Sequence, residues 1–437
     1  MESEWIDAKL GDYIDSCLGK MLDKNKNKGE FYPYLGNSNV RWGAFDLDEL
    51  AQMKFEDHEH VRYGIKAGDL IVCEGGEPGR CAIWEDDLPN MKIQKALHRV
   101  RTLDGLDSEF LYYWFLLAGK NKLLDAYFTG TTIKHLTGKA LKEIPIKIPP
   151  LKHQEQVAVL LRSFDKKIKT NRQINQTLEQ MAQAIFKSWF VDFDPVKTKM
   201  NGEQPIGIDA ATASLFPEKL VESELGLIPE GWEIHKTQDL FDVKDGTHDS
   251  PKKAEEGHYL VTSKHITKGK IDTSSAYLIS DADFEKVNQR SKVDTFDILL
   301  TMIGTVGEVV VVYDNPVEFA IKNVGLFKTS QKPELVWLFY WHLQSFKMKH
   351  YLEARMAGTT QQYLTLKTLR TIPVVLPSDE LLAKFNEVMS PLMEKISDNH
   401  KQSHTLSNLR DTLLPKLLSG EIDLENLQVE ATKAIAE

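Results

Sequence analysis

The chain has 437 residues, 42% of them hydrophobic, and a formal charge of −10. That length suffices for two or more domains with real cores. The acidic balance argues against a surface built wholly for phosphate, although a small basic face or a bound partner can supply what an acidic chain lacks.

The opening, MESEWIDAKLGD, is polar and reads as ordinary chain, not as a signal peptide. Three cysteines, Cys17, Cys73 and Cys81, have no CxxC spacing and are odd in number, which suits a reducing cytoplasm. No apolar run reaches the ~20 residues of a membrane helix. GDLIVCEGG (68–76) reads as a strand running into a glycine turn. EFLYYWFLLAGKNKLLDAY (109–127) has helical periodicity, and IPIKIPP (144–150) is a short extended piece closed by proline. A gap-free amphipathic stretch follows over 151–190, and then a connector rich in Pro and Gly, irregular with one short helix, over 191–231. The same textures then return. FDILLTMIG (296–304) is a strand into a glycine turn, VEFAIKNVGLFKT (317–329) is strand-like, ELVWLFYWHLQSFKMKHYLEA (334–354) is helical, and IPVVLPS (372–378) is extended.

The recurrence is in register. FTGTTIKHLTGKALKEIPIKIP (128–149) and MAGTTQQYLTLKTLRTIPVVLP (356–377) share Gly-Thr-Thr, Leu-Thr and both prolines at an offset of 228. Gly76 and Gly79 match Gly304 and Gly307 at the same offset; Trp5 matches Trp232 at 227, and NSNV (37–40) matches SKHI (263–266) at 226. Units of this size are duplicated domains, not solenoid repeats. The expected fold is α+β, with two pseudo-twofold-related globular domains, 1–150 and 232–378. Each is followed by a long helix, 151–190 and 379–418, and a tail covers 419–437.

The two helices carry matched heptad seams. The first is Leu161, Phe164, Ile168, Asn171, Asn175, Leu178, Ala182, Ile185 and Trp189. The second is Met389, Leu392, Ile396, Asn399, Ser403, Leu406, Arg410, Leu413 and Leu417. Alternating steps of 3 and 4 over four heptads favour a coiled coil over a pair of amphipathic helices packed on their own domains. An antiparallel arrangement about the pseudo-twofold would cross the two helices at their midpoints. Asn171 and Asn399 are the helix midpoints and are expected to face each other. Pro415 is expected to kink or end the second helix. A helix of this length spans about 58 Å at ~1.5 Å per residue.

Catalytic motifs are missing from the sequence. Gly138-Lys139 is followed by Ala140 and does not make a P-loop. The Pro-Pro pair in IPPL (148–151) lacks the flanks of an amino-methyltransferase, and Pro-Asp does not occur. His58-Glu59-His60 lacks a third ligand and reads as a solvated loop, so no metal site is expected. GGEPG (75–79) and GTVG (304–307) read as tight turns. A duplicated domain without nucleophile, base or metal reads as a binding protein.

At this point the chain resembles a family. NRQIN (171–175), QMAQAIFKSWFVDFDPV (180–196), LFPEKLVESELGLIPEGWE (215–233) and LRDTLLPKLLSGEIDL (409–424) look like the specificity subunit of a type I restriction-modification enzyme. The resemblance implies two target-recognition domains, each reading one half of a bipartite double-stranded DNA site. It also implies helices that dock two modification subunits, which methylate adenine, with restriction subunits joining them. The chain itself would catalyse nothing, and S-adenosylmethionine, ATP and Mg would belong to partner subunits. The rival reading is a pseudo-symmetric protein-docking scaffold with no DNA role.

Candidate DNA contacts are polar residues at matched places in both units. One pair of loops holds Asn37, Ser38 and Asn39 in the first unit and Ser263, Lys264 and His265 in the second. The other holds Thr131, Thr132, Lys134 and His135, and Thr359, Thr360, Gln361 and Gln362. Thr hydroxyls suit phosphate, Gln suits adenine, and Lys suits guanine or phosphate. A shared helix cap would explain Gly-Thr-Thr equally well.

Overall fold

The structure is a computed structural model and describes residues 5–23, 27–85, 88–267, 269–358, 362–422 and 424. The chain divides into two compact units, Met1–Asn171 with Gln402–Glu437, and Arg172–Lys401. Each is a mixed helix and strand body. Among the described residues no helix is long and apolar enough to cross a membrane.

In unit 1 an antiparallel sheet runs in the order Ile14–Leu18, Leu97–Thr102, Leu70–Cys73, Cys81–Ile83. Leu70–Cys73 is buried along its whole length. Leu70 and Val72 face one apolar cluster and Ile71 and Cys73 another, so the strand is covered on both faces and reads as a continuous apolar run. A second sheet joins Gln52–Phe55, Glu30–Leu35 and Lys92–Ile93. The helix Ser108–Lys120 begins where the Asp107 carboxylate accepts the Phe110 N–H at 2.8 Å. Ile6–Lys9 pairs antiparallel with Pro145–Ile148.

Unit 2 repeats this plan strand for strand. Val243–Asp245, Val324–Phe327, Ile298–Thr301 and Val309–Val311 form the four-stranded sheet. Leu278–Ile279, His258–Thr262 and Phe319–Lys322 form the three-stranded one. Glu233–Lys236 pairs with Pro373–Leu376. Three long sequence elements come out divided. In unit 1 the helical run 109–127 breaks at Lys122, whose φ of 56° separates Ser108–Lys120 from the 3-10 turn Leu123–Tyr127. The run 317–329 breaks at Asn323, whose φ of 53° no strand continues. The helical run 334–354 breaks at Ser345, whose hydroxyl caps a new helix by accepting the Met348 N–H at 3.2 Å.

The long helices are Leu151–Phe190 and Asp379–Ser419. Each contributes one half to each unit, and the halves pair antiparallel. In unit 1 Val157 and Leu161 share a core with Leu414 and Leu417. In unit 2 Ala182, Phe186 and Trp189 share one with Phe385, Met389 and Ile396. The seam holds buried asparagines. Asn399 Nδ2 donates to Asn175 Oδ1 at 2.8 Å, and Asn175 Nδ2 to Ile396 O at 3.1 Å. Asn171 Nδ2 donates to Gln402 Oε1 at 2.9 Å and Ser403 Oγ at 3.3 Å. The register therefore sets 175 opposite 399 and 171 opposite 403. That is one turn from the midpoint-to-midpoint register expected, and the repeat offset maps either pair onto the other. Counting from helix ends misses this because each helix half is fixed by the core of its own unit.

The second helix continues through Pro391 and Pro415 to Ser419, so Pro415 does not end it. Leu414, Leu417 and Leu418 are buried there, and their burial outweighs the single backbone bond that proline removes. The connector holds more order than its composition predicts. It contains helices Asp194–Met200 and Ala210–Ser214 and a hairpin of Leu220–Ser223 with Gly226–Pro229.

Candidate nucleic-acid interface

Two loops in unit 1 meet at one glycine turn. Asn37–Asn39 forms a single 3-10 turn after the strand Glu30–Leu35. Asn39 closes it, its Oδ1 accepting the Gly36 N–H at 2.9 Å and its Nδ2 donating to Asp46 O at 3.0 Å. Asn37 Nδ2 donates to Gly75 O at 3.0 Å, and Arg80 Nη2 donates back to Asn37 O at 3.0 Å. Ser38 is exposed between them.

The Gly-Thr-Thr loop is stapled at its base. Thr129 and His135 exchange two backbone hydrogen bonds of 2.8 Å. Gly130 has a φ of 96°, and a side chain there would come within 2.2 Å of Ile133 O, so the turn requires glycine. Thr131, Thr132, Ile133 and Lys134 are exposed and His135 half-buried. Leu136 N–H donates to Glu74 O at 2.7 Å, and the buried His98 Nε2 bonds Leu136 O at 2.8 Å. Burial holds the His98 imidazole below its ordinary pKa, which keeps it neutral in that role. A Cβ on Gly75 would lie 3.1 Å from His135 Nδ1, and one on Gly76 2.6 Å from Asn37 Nδ2. The GGEPG stretch is thus the tight turn expected, and its glycines let both candidate loops approach.

Unit 2 builds the same frame from different side chains. In the turn Ser263–His265, His265 Nδ1 accepts the Thr262 N–H at 2.9 Å, the role that Asn39 takes in unit 1. Ser263 and His265 are buried and Lys264 is exposed. Ser263 Oγ donates to Asn323 O at 3.3 Å. Ala357 and Tyr363 exchange backbone bonds of 2.8 and 2.9 Å, and Leu364 N–H donates to Met302 O at 2.9 Å. Thr359, Thr360 and Gln361 lie outside the described residues; Gln362 is exposed. The offset of 228 pairs Lys134 with Gln362 and His135 with Tyr363. Tyr363 is 41% exposed and was not among the sequence candidates. Aligning its loop residue by residue, instead of by polar type, finds it.

The basic side chains around the unit 1 loops already have carboxylate partners. Lys134 Nζ lies 3.3 Å from Asp125 and over the Phe128 ring. Arg80 lies 3.0 Å from Glu77, and Arg41 3.4 Å from Asp46. Arg41 directly follows the candidate turn and bonds to Ser38 O, whereas nothing local marks Arg80, which meets Asn37 from 43 residues away. Glu56, His58 and Glu59 bring ligand atoms within 4.8 Å of one another. Glu56 thus supplies the third ligand that the sequence lacked near His58 and Glu59, and the Lys20 ammonium pairs with the Glu59 carboxylate.

The family described as "Type I restriction modification DNA specificity domain" matches residues 2–180 and 229–408. The type I restriction enzyme MjaIX specificity subunit of Methanocaldococcus jannaschii is 30% identical over 82% of this chain and 79% of its own. The HindI specificity subunit of Haemophilus influenzae is 25% identical over 96% of this chain and 100% of its own. The crystal structure of the S subunit from M. genitalium shares the fold, with a TM-score of 0.58 at 19% identity over 95% of this chain and 96% of that one. The chain belongs to the type I restriction-modification specificity subunits and carries two copies of their DNA specificity domain.

Proposed function

We propose that each domain reads one half of a bipartite DNA site, and that the long helices dock two adenine-modification subunits. The observation that carries this reading is a shared frame with exchanged side chains. The same turn and the same stapled loop occur in both units, while Ser38 becomes Lys264, Lys134 becomes Gln362 and His135 becomes Tyr363. A fixed backbone with variable polar tips suits two readers of different sequence on one duplex. Thr131, Thr132 and Lys134 would then contact phosphate or bases in one half-site, and Lys264 and Gln362 in the other.

The chain supplies recognition and no chemistry of its own. S-adenosylmethionine, ATP and Mg are carried by the modification and restriction subunits. The carboxylates beside Lys134, Arg41 and Arg80 compete with phosphate, which keeps non-specific binding weak in an acidic chain.

Mapping methylated adenines in the host genome, with and without this chain, tests the reading. A bipartite motif that disappears on deletion is the expected result; an unchanged methylome overturns it. Exchanging residues 1–150 for those of a relative should then alter one half-site alone.

A further inference from the structure

In each unit the candidate turn is one end of a closed lever. Asp46 N–H donates to Asn39 O at 2.8 Å, and Asp272 N–H to His265 O at 2.8 Å. These bonds fasten a short hairpin to the turn, Val40–Arg41 with Ala44–Phe45 in unit 1 and Ile266–Thr267 with Lys270–Ile271 in unit 2. The tip of each hairpin is a glycine, Gly43 or Gly269, with a φ of 68° in both.

The Gly43 tip lies close against a tyrosine hydroxyl, and the matched tyrosine stands farther from Gly269. A Cβ on Gly43 would lie 2.5 Å from Tyr112 Oη, and one on Gly269 3.7 Å from Tyr340 Oη. The glycines are 226 apart, as the turns are, and the tyrosines are 228 apart. Tyr112 lies on the buried face of Ser108–Lys120, edge-on to Tyr113 at 4.9 Å. Tyr340 lies on Val336–Gln344, edge-on to Trp341 at 5.2 Å. The same residue types therefore recur at the matched place, tight in unit 1 and loose in unit 2. Hairpins of two-residue strands have little internal cohesion. Each also packs along its length, with Val40 and Ile266 fully buried, and Gly43 N–H donates to Cys81 O at 3.0 Å, so the tyrosine adds to a pose the sheet already supports.

We propose that Tyr112 is a positioning residue, setting through Gly43 the pose of the reading turn Asn37–Asn39. The inference rests on the DNA-reading function proposed above. A turn bonded to the hairpin base moves when the tip moves, and recognition groups must be held to within about half an ångström.

The test uses the full chain assembled with its modification subunits, on duplexes carrying the mapped site and altered in one half-site at a time. Gly43→Ala sets a methyl against the Tyr112 hydroxyl. It should lower discrimination at one half-site by about tenfold, the scale of one lost base contact, and leave the other within about twofold. Adding Tyr112→Phe removes the hydroxyl and should recover most of that loss, which separates contact from backbone strain. Gly269→Ala has room and should change its own half-site by less than about threefold. Equal loss at both half-sites, or a loss that Tyr112→Phe does not relieve, overturns the joint. Should Gly43→Ala fail to fold, Tyr112→Phe alone decides. Relaxed discrimination at one half-site with an unchanged unfolding midpoint supports the proposal, and unchanged discrimination overturns it. A wild-type complex that binds every altered duplex alike overturns the function itself; a discriminating one indifferent to Gly43→Ala overturns only the positioning role.

Discussion

The two units solve one packing problem with opposite chemistry. In unit 1 Tyr113 donates to Asp165 Oδ2 at 2.7 Å, and Arg410 Nη1 donates to Asp165 Oδ1 at 2.5 Å. Arg410 also reaches Asp411 at 2.8 Å, and Asp411 pairs with Lys120 at 2.6 Å. This network ties the domain helix Ser108–Lys120 to both long helices. At the positions equivalent by 228, unit 2 has Trp341, Met393, Ala182 and Met348 within its apolar core, and an exposed Gln183 in place of Asp411. Charge pairing and apolar packing thus fill matched sites. Replacing a buried ion pair by well-packed apolar residues is often neutral or better, whereas removing one partner is costly. The network consequently contributes little net stability.

That contrast can be broken or sharpened, beginning with the largest effect. Asp165→Ala leaves the Tyr113 hydroxyl without its acceptor and the Arg410 guanidinium with Asp411 alone; it should cost about 2–4 kcal/mol in unit 1 alone. Hydrogen exchange resolved by peptide reads this, and equal loss of protection in Ile298–Thr301 of unit 2 would contradict it.

Acid should act on unit 2. Burial pushes the His342 imidazole, bonded to Pro373 O at 2.8 Å, down to about 4. A depressed histidine pKa favours the neutral form when folded. Its contribution is therefore complete above the unfolded pKa near 6.5 and is lost as pH falls from there towards 4. Stability of unit 2 should drop on the order of 2 kcal/mol between pH 7 and pH 4.5 from this group. Burial and the nearby Lys270 lower His400 as well, which adds to the drop. His342→Asn should flatten the profile, and an equally steep profile in that variant would exclude His342 as the cause.

A smaller effect is expected at the seam. Asn399→Leu leaves the Asn175 amide without its buried donor and should cost about 1–2 kcal/mol. Asn175→Leu together with Asn399→Leu should recover part of that, because two apolar partners replace two polar ones. A double variant worse than the sum of the singles would show that the amides do more than satisfy each other.

The smallest change is the most informative about the comparison. Importing the unit 2 solution, Tyr113→Trp, Asp165→Met and Arg410→Ala together, should leave unit 1 within about 1–2 kcal/mol of wild type, far less than Asp165→Ala alone. Denaturant midpoints of the two variants settle the order.

Much of the architecture was legible in the residues. An internal repeat is a two-sequence comparison carried by one chain. The offset of 228 located equivalent strands, helices and glycine turns because matched sequences obey the same propensities and sterics. Gly130 and Gly358 both adopt positive φ, and both loops are stapled across the same six residues. Heptad spacing predicted long helices because 3.6-residue periodicity is local information. Local punctuation was read less well. Asn323 and Ser345 divide elements that composition alone runs together.

What the tertiary structure decided is what depends on distant partners. Asn175 meets Asn399 and Asn171 meets Ser403 because each helix half is clamped by a different core. Pro415 remains helical because three leucines around it are buried. Polar type made candidates of Asn39 and His265, yet both side chains cap their own turns, leaving Ser38 and Lys264 as the exposed members. Gly43 and Tyr112 are 69 residues apart, and no pattern in the chain announces that one rests on the other. Sequence determines which segments can form and which are alike. Burial and hydrogen-bond satisfaction between segments far apart in the chain determine which face each side chain shows, and so which of them remain free to read a ligand.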